Sequence, residues 1–120
     1  MAEESFQEAL ILHKDGKTRS VLNSLYNVYY YGMEALLLNQ DIHCRNHDQL
    51  RTAFCEKFLQ NHLFGMNDRS DSNFWQKEIE MIFKVKDEND KGFLPSGLEV
   101  QRLIRTGSNF LNSVKKYLAI

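Results

Sequence analysis

The segment from about Arg19 to Asn39 constrains the fold more than any other part of the chain. It contains no proline, and Leu22, Leu25, Tyr26, Tyr29, Met33, Leu36 and Leu37 recur on one face at helical spacing. Tyr30 and Tyr31 carry apolar surface further around the same cylinder. A helix apolar on several sides must be covered on several sides. It therefore belongs at the centre of a helical domain or at an interface between two copies of the chain. The rest of the sequence suits the first requirement, since a single proline in 120 residues permits long helices. No stretch alternates strictly enough for a half-buried strand.

Four further helices are predicted. The first spans about Phe6 to Lys14, with Ser5 and Glu8 in capping-box spacing and Asp15-Gly16 as its stop. Thr18 is a candidate cap for the second. The third spans about Asp48 to His62, opened by Asn46 or His47, with Leu50, Phe54, Phe58 and Leu59 as its core stripe. The polar run Asn67 to Asn73 reads as a turn, and the fourth helix follows over about Phe74 to Lys86, with Trp75, Ile79, Ile82 and Phe83 on one side. The fifth starts after Pro95, with Ser96 as cap and Glu99 completing a second capping box. Its stripe is Val100, Leu103, Ile104, Gly107, Phe110, Leu111, Val114 and Leu118, in which Gly107 suggests close helix–helix approach. The expectation is an all-α chain, a five-helix antiparallel up-and-down bundle forming a single domain over residues 1–120. A mass of 14.1 kDa fits one core, with about two-thirds of the unfolded surface buried.

Charge narrows the function classes. Fifteen basic residues against sixteen acidic ones give −1, which excludes a generically cationic nucleic-acid binder but not a local basic face. The balance is uneven: −3 over residues 1–16, +1 over 17–62, −3 over 63–99 and +4 over 100–120. The last value also suits the negative end of a helix dipole. The longest apolar run, Ala35 to Leu38, is far too short for a bilayer span. The acidic, polar start MAEESFQEAL does not read as a secretory signal, so a cytoplasmic protein with no membrane partner is expected. Cys44 and Cys55 are then expected as free thiols.

Two stretches carry a family resemblance. The aromatic-rich run Leu25-Tyr26-Asn27-Val28-Tyr29-Tyr30-Tyr31-Gly32-Met33-Glu34-Ala35-Leu36-Leu37-Leu38 resembles the second helix of HEPN domains. Asn46-His47-Asp48-Gln49-Leu50-Arg51-Thr52-Ala53-Phe54 is similar to the family's third-helix start, and Phe58-Leu59-Gln60-Asn61-His62-Leu63-Phe64 to its continuation. The resemblance extends over about residues 5–118. It implies a prokaryotic, cytoplasmic homodimer, often paired with a minimal nucleotidyltransferase in a toxin–antitoxin-like system, and a nucleotide, RNA or protein partner. No cofactor is implied.

Many HEPN proteins are metal-independent ribonucleases, with an Arg, four to six intervening residues and then a His. The His serves as acid or base and the Arg stabilises phosphate charge. No arginine stands at that distance before His13, His43, His47 or His62. The resemblance therefore implies a module with degenerate or no ribonuclease activity, and leans away from an enzyme. The alternative is an RNA-binding or RNA-cleaving protein with a displaced site at His47 and Arg51, four apart on one helix face. One HEPN subgroup carries Arg, two residues, then Ala-Asp-Tyr late in helix four. Lys86-Asp87-Glu88-Asn89-Asp90-Lys91 is the best match, with Asp90 retained and Lys86 in place of the Arg. Lysine keeps the charge and loses the bidentate fork. The phosphate-contact candidates are thus His47, Arg51, Lys86 and Asp90, and the dimer-interface candidates Tyr26, Tyr29, Tyr30 and Met33. The tyrosines can also be read as core residues or as base-stacking rings.

Two other patterns are weaker. Residues 87–98 imitate a calcium loop through Asp87, Asn89 and Gly92, but Lys91 and Leu98 occupy ligand positions, so a turn into helix five is the better reading. His43, Cys44 and His47 do not have structural zinc spacing, and no metal is expected.

Overall fold

The computed structural model describes residues 2–59, 70–92 and 94–118. The chain is all-helical, with no strand among the described residues. The helices are α1 (Ala2–Lys14), α2 (Thr18–Asn39), α3 (His47–Phe54), α4 (Ser70–Asp90) and α5 (Gly97–Leu118). A π-helical turn, Cys55–Leu59, continues α3. The family-like stretch Gln60 to Phe64 and the end of the predicted third helix at His62 lie outside the described residues, as do Asn67 to Arg69 of the predicted turn. No described helix is long and apolar enough to cross a membrane.

The helix ends follow local chemistry. After α1, Gly16 takes φ +74°, the Gly16 N–H donates to His13 O and the Lys17 N–H donates to Leu12 O. This is a Schellman stop, and glycine enters the left-handed region without strain. After α2, the same pattern is built on Asp41 at φ 58°, with the Ile42 N–H donating to Leu37 O. Asn46 caps α3 by accepting from the Gln49 N–H at 2.9 Å, and Gln49 Oε1 accepts from the Arg45 N–H at 2.9 Å. At α5 the Ser96 hydroxyl accepts from the Glu99 N–H at 3.2 Å.

Several predicted ends move. Ser5 lies inside α1 and is buried, so Ser5 and Glu8 do not form the opening cap. Thr18 is the first residue of α2, and the residue before it, Lys17, takes the cap position without a side-chain capping bond. Ser70 to Asn73 belong to α4, since Ser, Asp and Asn suit a helix's first turn as well as a loop. That helix also continues past Lys86 to Asp90 and stops at Gly92, φ +95°. Asp87 and Asn89 are therefore helical and cannot line a calcium loop. Glu99 does not reach back to Ser96. It pairs with Arg102 at 3.0 Å, and Arg102 also grips the buried Glu78 of α4 at 2.9 Å.

The core sits around α2, which packs against α1, α3, α4 and α5. Leu22, Leu25, Tyr26, Tyr29, Met33, Leu36 and Leu37 are all buried, together with Val21 and Val28. This corrects the interface reading: Tyr26, Tyr29 and Met33 are spent on the chain's own core, and Tyr30 packs half-buried against it. Four helices contact α2, and the aromatic surface it keeps is that of the half-buried Tyr30 and Tyr31. At the centre, the Phe110 ring lies 4.5 Å from Tyr29, 5.6 Å from Trp75 and 6.1 Å from Phe54. Burial and the nearby Glu78 raise the Tyr29 phenol pKa well above its ordinary value.

Glycine permits this approach at two places. A Cβ on Gly32 would lie 2.6 Å from Phe110 Cε2, whereas one on Gly107 would lie 3.3 Å from the tip of Leu25. Gly32→Ala gains up to about 1 kcal/mol in helix propensity. It also forces a ring with no free space, at about 1–3 kcal/mol. A net loss of about 1–2 kcal/mol is expected, against a change within about 0.5 kcal/mol for Gly107→Ala, whose neighbour is a flexible branch. Urea unfolding of the pair checks the order, and equal stability of the two variants would refute the close α2–α5 contact.

Candidate functional site

A hollow of about 450 Å³ opens between α2, α3 and α4. Tyr26 and Phe83 contribute rings to it, Arg51 and His47 come from α3, and Lys86 and Asp90 from α4. All four residues predicted to contact phosphate therefore line one hollow, although the two pairs lie far apart in the chain. Asp48, Glu80, Lys84 and Asp87 complete the lining. A second hollow of about 400 Å³ adjoins it along α2, lined by Asn23, Asn27, Tyr30 and Tyr31, and shares Tyr26, His47 and Lys86 with the first. A separate depression of about 630 Å³ along α1 has Glu3, Glu4 and Glu8 for its charged lining and offers no cation.

Local structure places each group. Asn46 ends the loop as the α3 cap, so His47 becomes the first helical residue and Arg51 follows one turn later. The His47 ring packs between Tyr26 (centroids 5.4 Å) and Tyr30 (5.0 Å). Its Nδ1 is hydrogen-bonded to the Tyr26 hydroxyl. Burial, and then the neighbouring Tyr30, Asp48 and Asp90, push the Tyr26 phenol up to about 12. Near neutral pH the phenol is therefore protonated and can donate to Nδ1, an arrangement that leaves Nε2 to carry the ring's N–H. No hydrogen bond within the described residues engages Nε2. Of the His47 nitrogens, one is held and the other is available.

The cations are held loosely. Arg51 lies 5.1 Å over the Phe83 ring and 3.8 Å from Asp48, its neighbour three residues back. Lys86 lies 5.7 Å over the Tyr26 ring and 2.8 Å from Asp90, four residues on. Helical pairs with an exposed partner are worth about 0.3–0.5 kcal/mol. An incoming anion can displace such carboxylates at small cost, while the rings keep the cationic side chains in place. The arrangement can bind an oxyanion beside an aromatic shelf. Elsewhere two of the last helix's four cations are paired: Arg102 joins Glu78 and Glu99, and Lys115 meets Glu3 at 2.7 Å, while Arg105 and Lys116 are exposed. Lys115 also lowers the Glu3 carboxyl pKa, chiefly by hydrogen bonding.

Tyr26 and Phe83 are the site residues that sequence reasoning placed elsewhere, in an interface and a core stripe. Both are apolar-stripe residues, and their contribution to a polar hollow depends on which helices flank them. Cys44 and Cys55 are half-buried free thiols, and burial pushes the Cys55 thiol pKa up. Among the described residues no group of three or more His, Cys, Asp or Glu side chains is placed to hold a metal ion. Comparison of the chain with protein-family models, with curated proteins and with solved structures finds no match.

The Tyr26 environment sets an alkaline stability term. A phenol raised from 10.0 to about 12 favours the protonated folded state. That stability is present below about pH 10 and lost as pH rises toward about 12. Tyr26→Phe, which cannot ionise, is expected to lose about 1–2 kcal/mol less than the parent chain across this window. Denaturant unfolding at stepped alkaline pH reads the difference, and parallel curves would refute the buried phenol.

Proposed function

We propose that the chain is a HEPN-like module, an antiparallel five-helix bundle, that binds a nucleotide through its phosphate between α2, α3 and α4 and acts as a binding partner instead of a catalyst. The observation that carries this reading is the convergence of His47, Arg51 and Lys86 on one hollow beside the Tyr26 and Phe83 rings. Arg51 can fork onto two phosphate oxygens and Lys86 adds a point charge. The two HEPN-like stretches support the same reading, since Tyr26 and His47 lie within them. On this reading the protein is a cytoplasmic homodimer and the partner of a nucleotidyltransferase in a toxin–antitoxin-like pair. Its dimer contact would use surfaces other than Tyr26, Tyr29 and Met33, which are buried in the chain.

A second reading is favoured by one feature. His47 is oriented by a hydrogen bond that Tyr26 makes to its Nδ1, much as a general acid or base is held at one ring nitrogen, and Arg51 stands one turn away. RNA cleavage at this displaced site is the alternative.

Titration calorimetry with uridine 5′-monophosphate tests the binding reading. Arg51→Ala and Lys86→Ala are each expected to weaken binding about tenfold, the scale of one charge-assisted hydrogen bond. Absence of binding by the parent chain would overturn it. RNA incubated with the protein in chelator decides between the readings: cleavage that His47→Ala abolishes would establish the second. Light scattering tests the dimer, which a strict monomer at high concentration would refute.

A further inference from the structure

The hollow along α2 carries chemistry that a phosphate does not use. Asn89 of α4 is buried, and its Nδ2 donates to the Arg19 carbonyl oxygen at 3.2 Å. Only the amide nitrogen can donate to a carbonyl, so this bond fixes which way the Asn89 amide faces. Its second N–H then points to Asn23 Oδ1 at 3.4 Å. The Asn23 amide is thereby oriented in turn. Its oxygen is held inward by Asn89, and its NH2 group is left to donate. Asn23 itself is exposed and lines the α2 hollow beside the half-buried Tyr30 and Tyr31.

We infer that the α2 hollow is a nucleobase subsite, selective for a base carbonyl, adjoining the phosphate-binding hollow across Lys86 and His47. The inference rests on the nucleotide-binding reading above and deepens it to a ligand class: nucleotides whose base carries a ring carbonyl, which adenine lacks. A free asparagine can pair with adenine through donor and acceptor together. One lone pair of the Asn23 oxygen is taken by Asn89, which ties that oxygen toward α4, disfavours the two-point pairing and leaves the NH2 group to donate to a keto oxygen. The rings of Tyr30 and Tyr31 offer stacking surface to any base, so discrimination falls to the amide. Asn89 acts through Asn23 as a positioning residue. The shared Lys86 and His47 put the two hollows in contact, so one nucleotide can use both.

Calorimetry of the full chain with uridine 5′-monophosphate, adenosine 5′-monophosphate and ribose 5-phosphate tests the subsite. The uridine nucleotide is expected to bind about fivefold more tightly than the adenosine nucleotide, the scale of one neutral hydrogen bond. Asn23→Ala, a change at an exposed position, is expected to abolish that ratio. Asn89→Leu, checked for folding by its melting transition, is expected to reduce the ratio by releasing the Asn23 amide. If all three ligands bind alike and all weaken in Lys86→Ala, the phosphate reading stands and the base subsite is refuted. If none binds, the phosphate reading itself falls and takes the subsite with it. An adenosine preference, or a ratio unchanged in Asn23→Ala, overturns the assignment of Asn23.

Discussion

Phe110 packs where a Cβ on Gly32 would otherwise stand, and most of the structure depends on that approach. The missing side chain lets α5 come close enough to α2 for one ring to reach Tyr29, Phe54 and Trp75. Residues from three other helices thus meet on one side chain of α5. Truncating a buried aromatic of this kind costs about 3–5 kcal/mol, a large share of a small domain's stability. Glycine within a helix costs up to about 1 kcal/mol, which the ring contacts offset. The Gly107 position repeats the device less tightly, against Leu25 and Phe6.

The same packing decides where the site lies. With one side of α2 held by α5 and α1, Tyr26 and Tyr30 on another edge meet α3 and α4. Tyr26 is covered there by Phe83 at 5.2 Å and by the His47 ring, and its hydroxyl finds a partner in His47. The Glu78–Arg102–Glu99 cluster ties α4 to α5, and Lys86 stands eight residues further along α4. Side chains carried by packed helices are held more precisely than side chains on loops. The candidate site therefore inherits its geometry from the core and from the α3 cap at Asn46.

Much of this was legible in the sequence because helices write their burial as periodicity. The stripes of α2 and α5 and the stop at Gly16 were readable residue by residue, as was the Ser96 cap. The ends that moved involve Ser5, Thr18 and Ser70 to Asn73, small polar residues that suit both caps and helix turns, so only tertiary packing decides between the two. Tyr26 was misplaced for a related reason. An apolar stripe says that a residue is covered, not whether its own chain or a second copy covers it. His47, Arg51, Lys86 and Asp90 were found through a resemblance, while their convergence on one hollow depends on long-range packing that no local spacing encodes. The pairing of Asn89 with Asn23 had no sequence signal, since a buried amide such as Asn89 is recognisable only by the carbonyl it meets.

A near-neutral chain can bind an anion when contact, not field, does the work. The cations at the hollow face about as many carboxylates, so the summed potential there is small. Arg51 and Lys86 are held over rings and paired with helical neighbours that an oxyanion can displace. The driving force is then the exchange of weak exposed pairs for charge-assisted bonds with better geometry. Such exchange is short-ranged and gives little steering of a long polyanion. It suits a single phosphate group whose attached base has somewhere to rest, and the second hollow along α2 provides that surface.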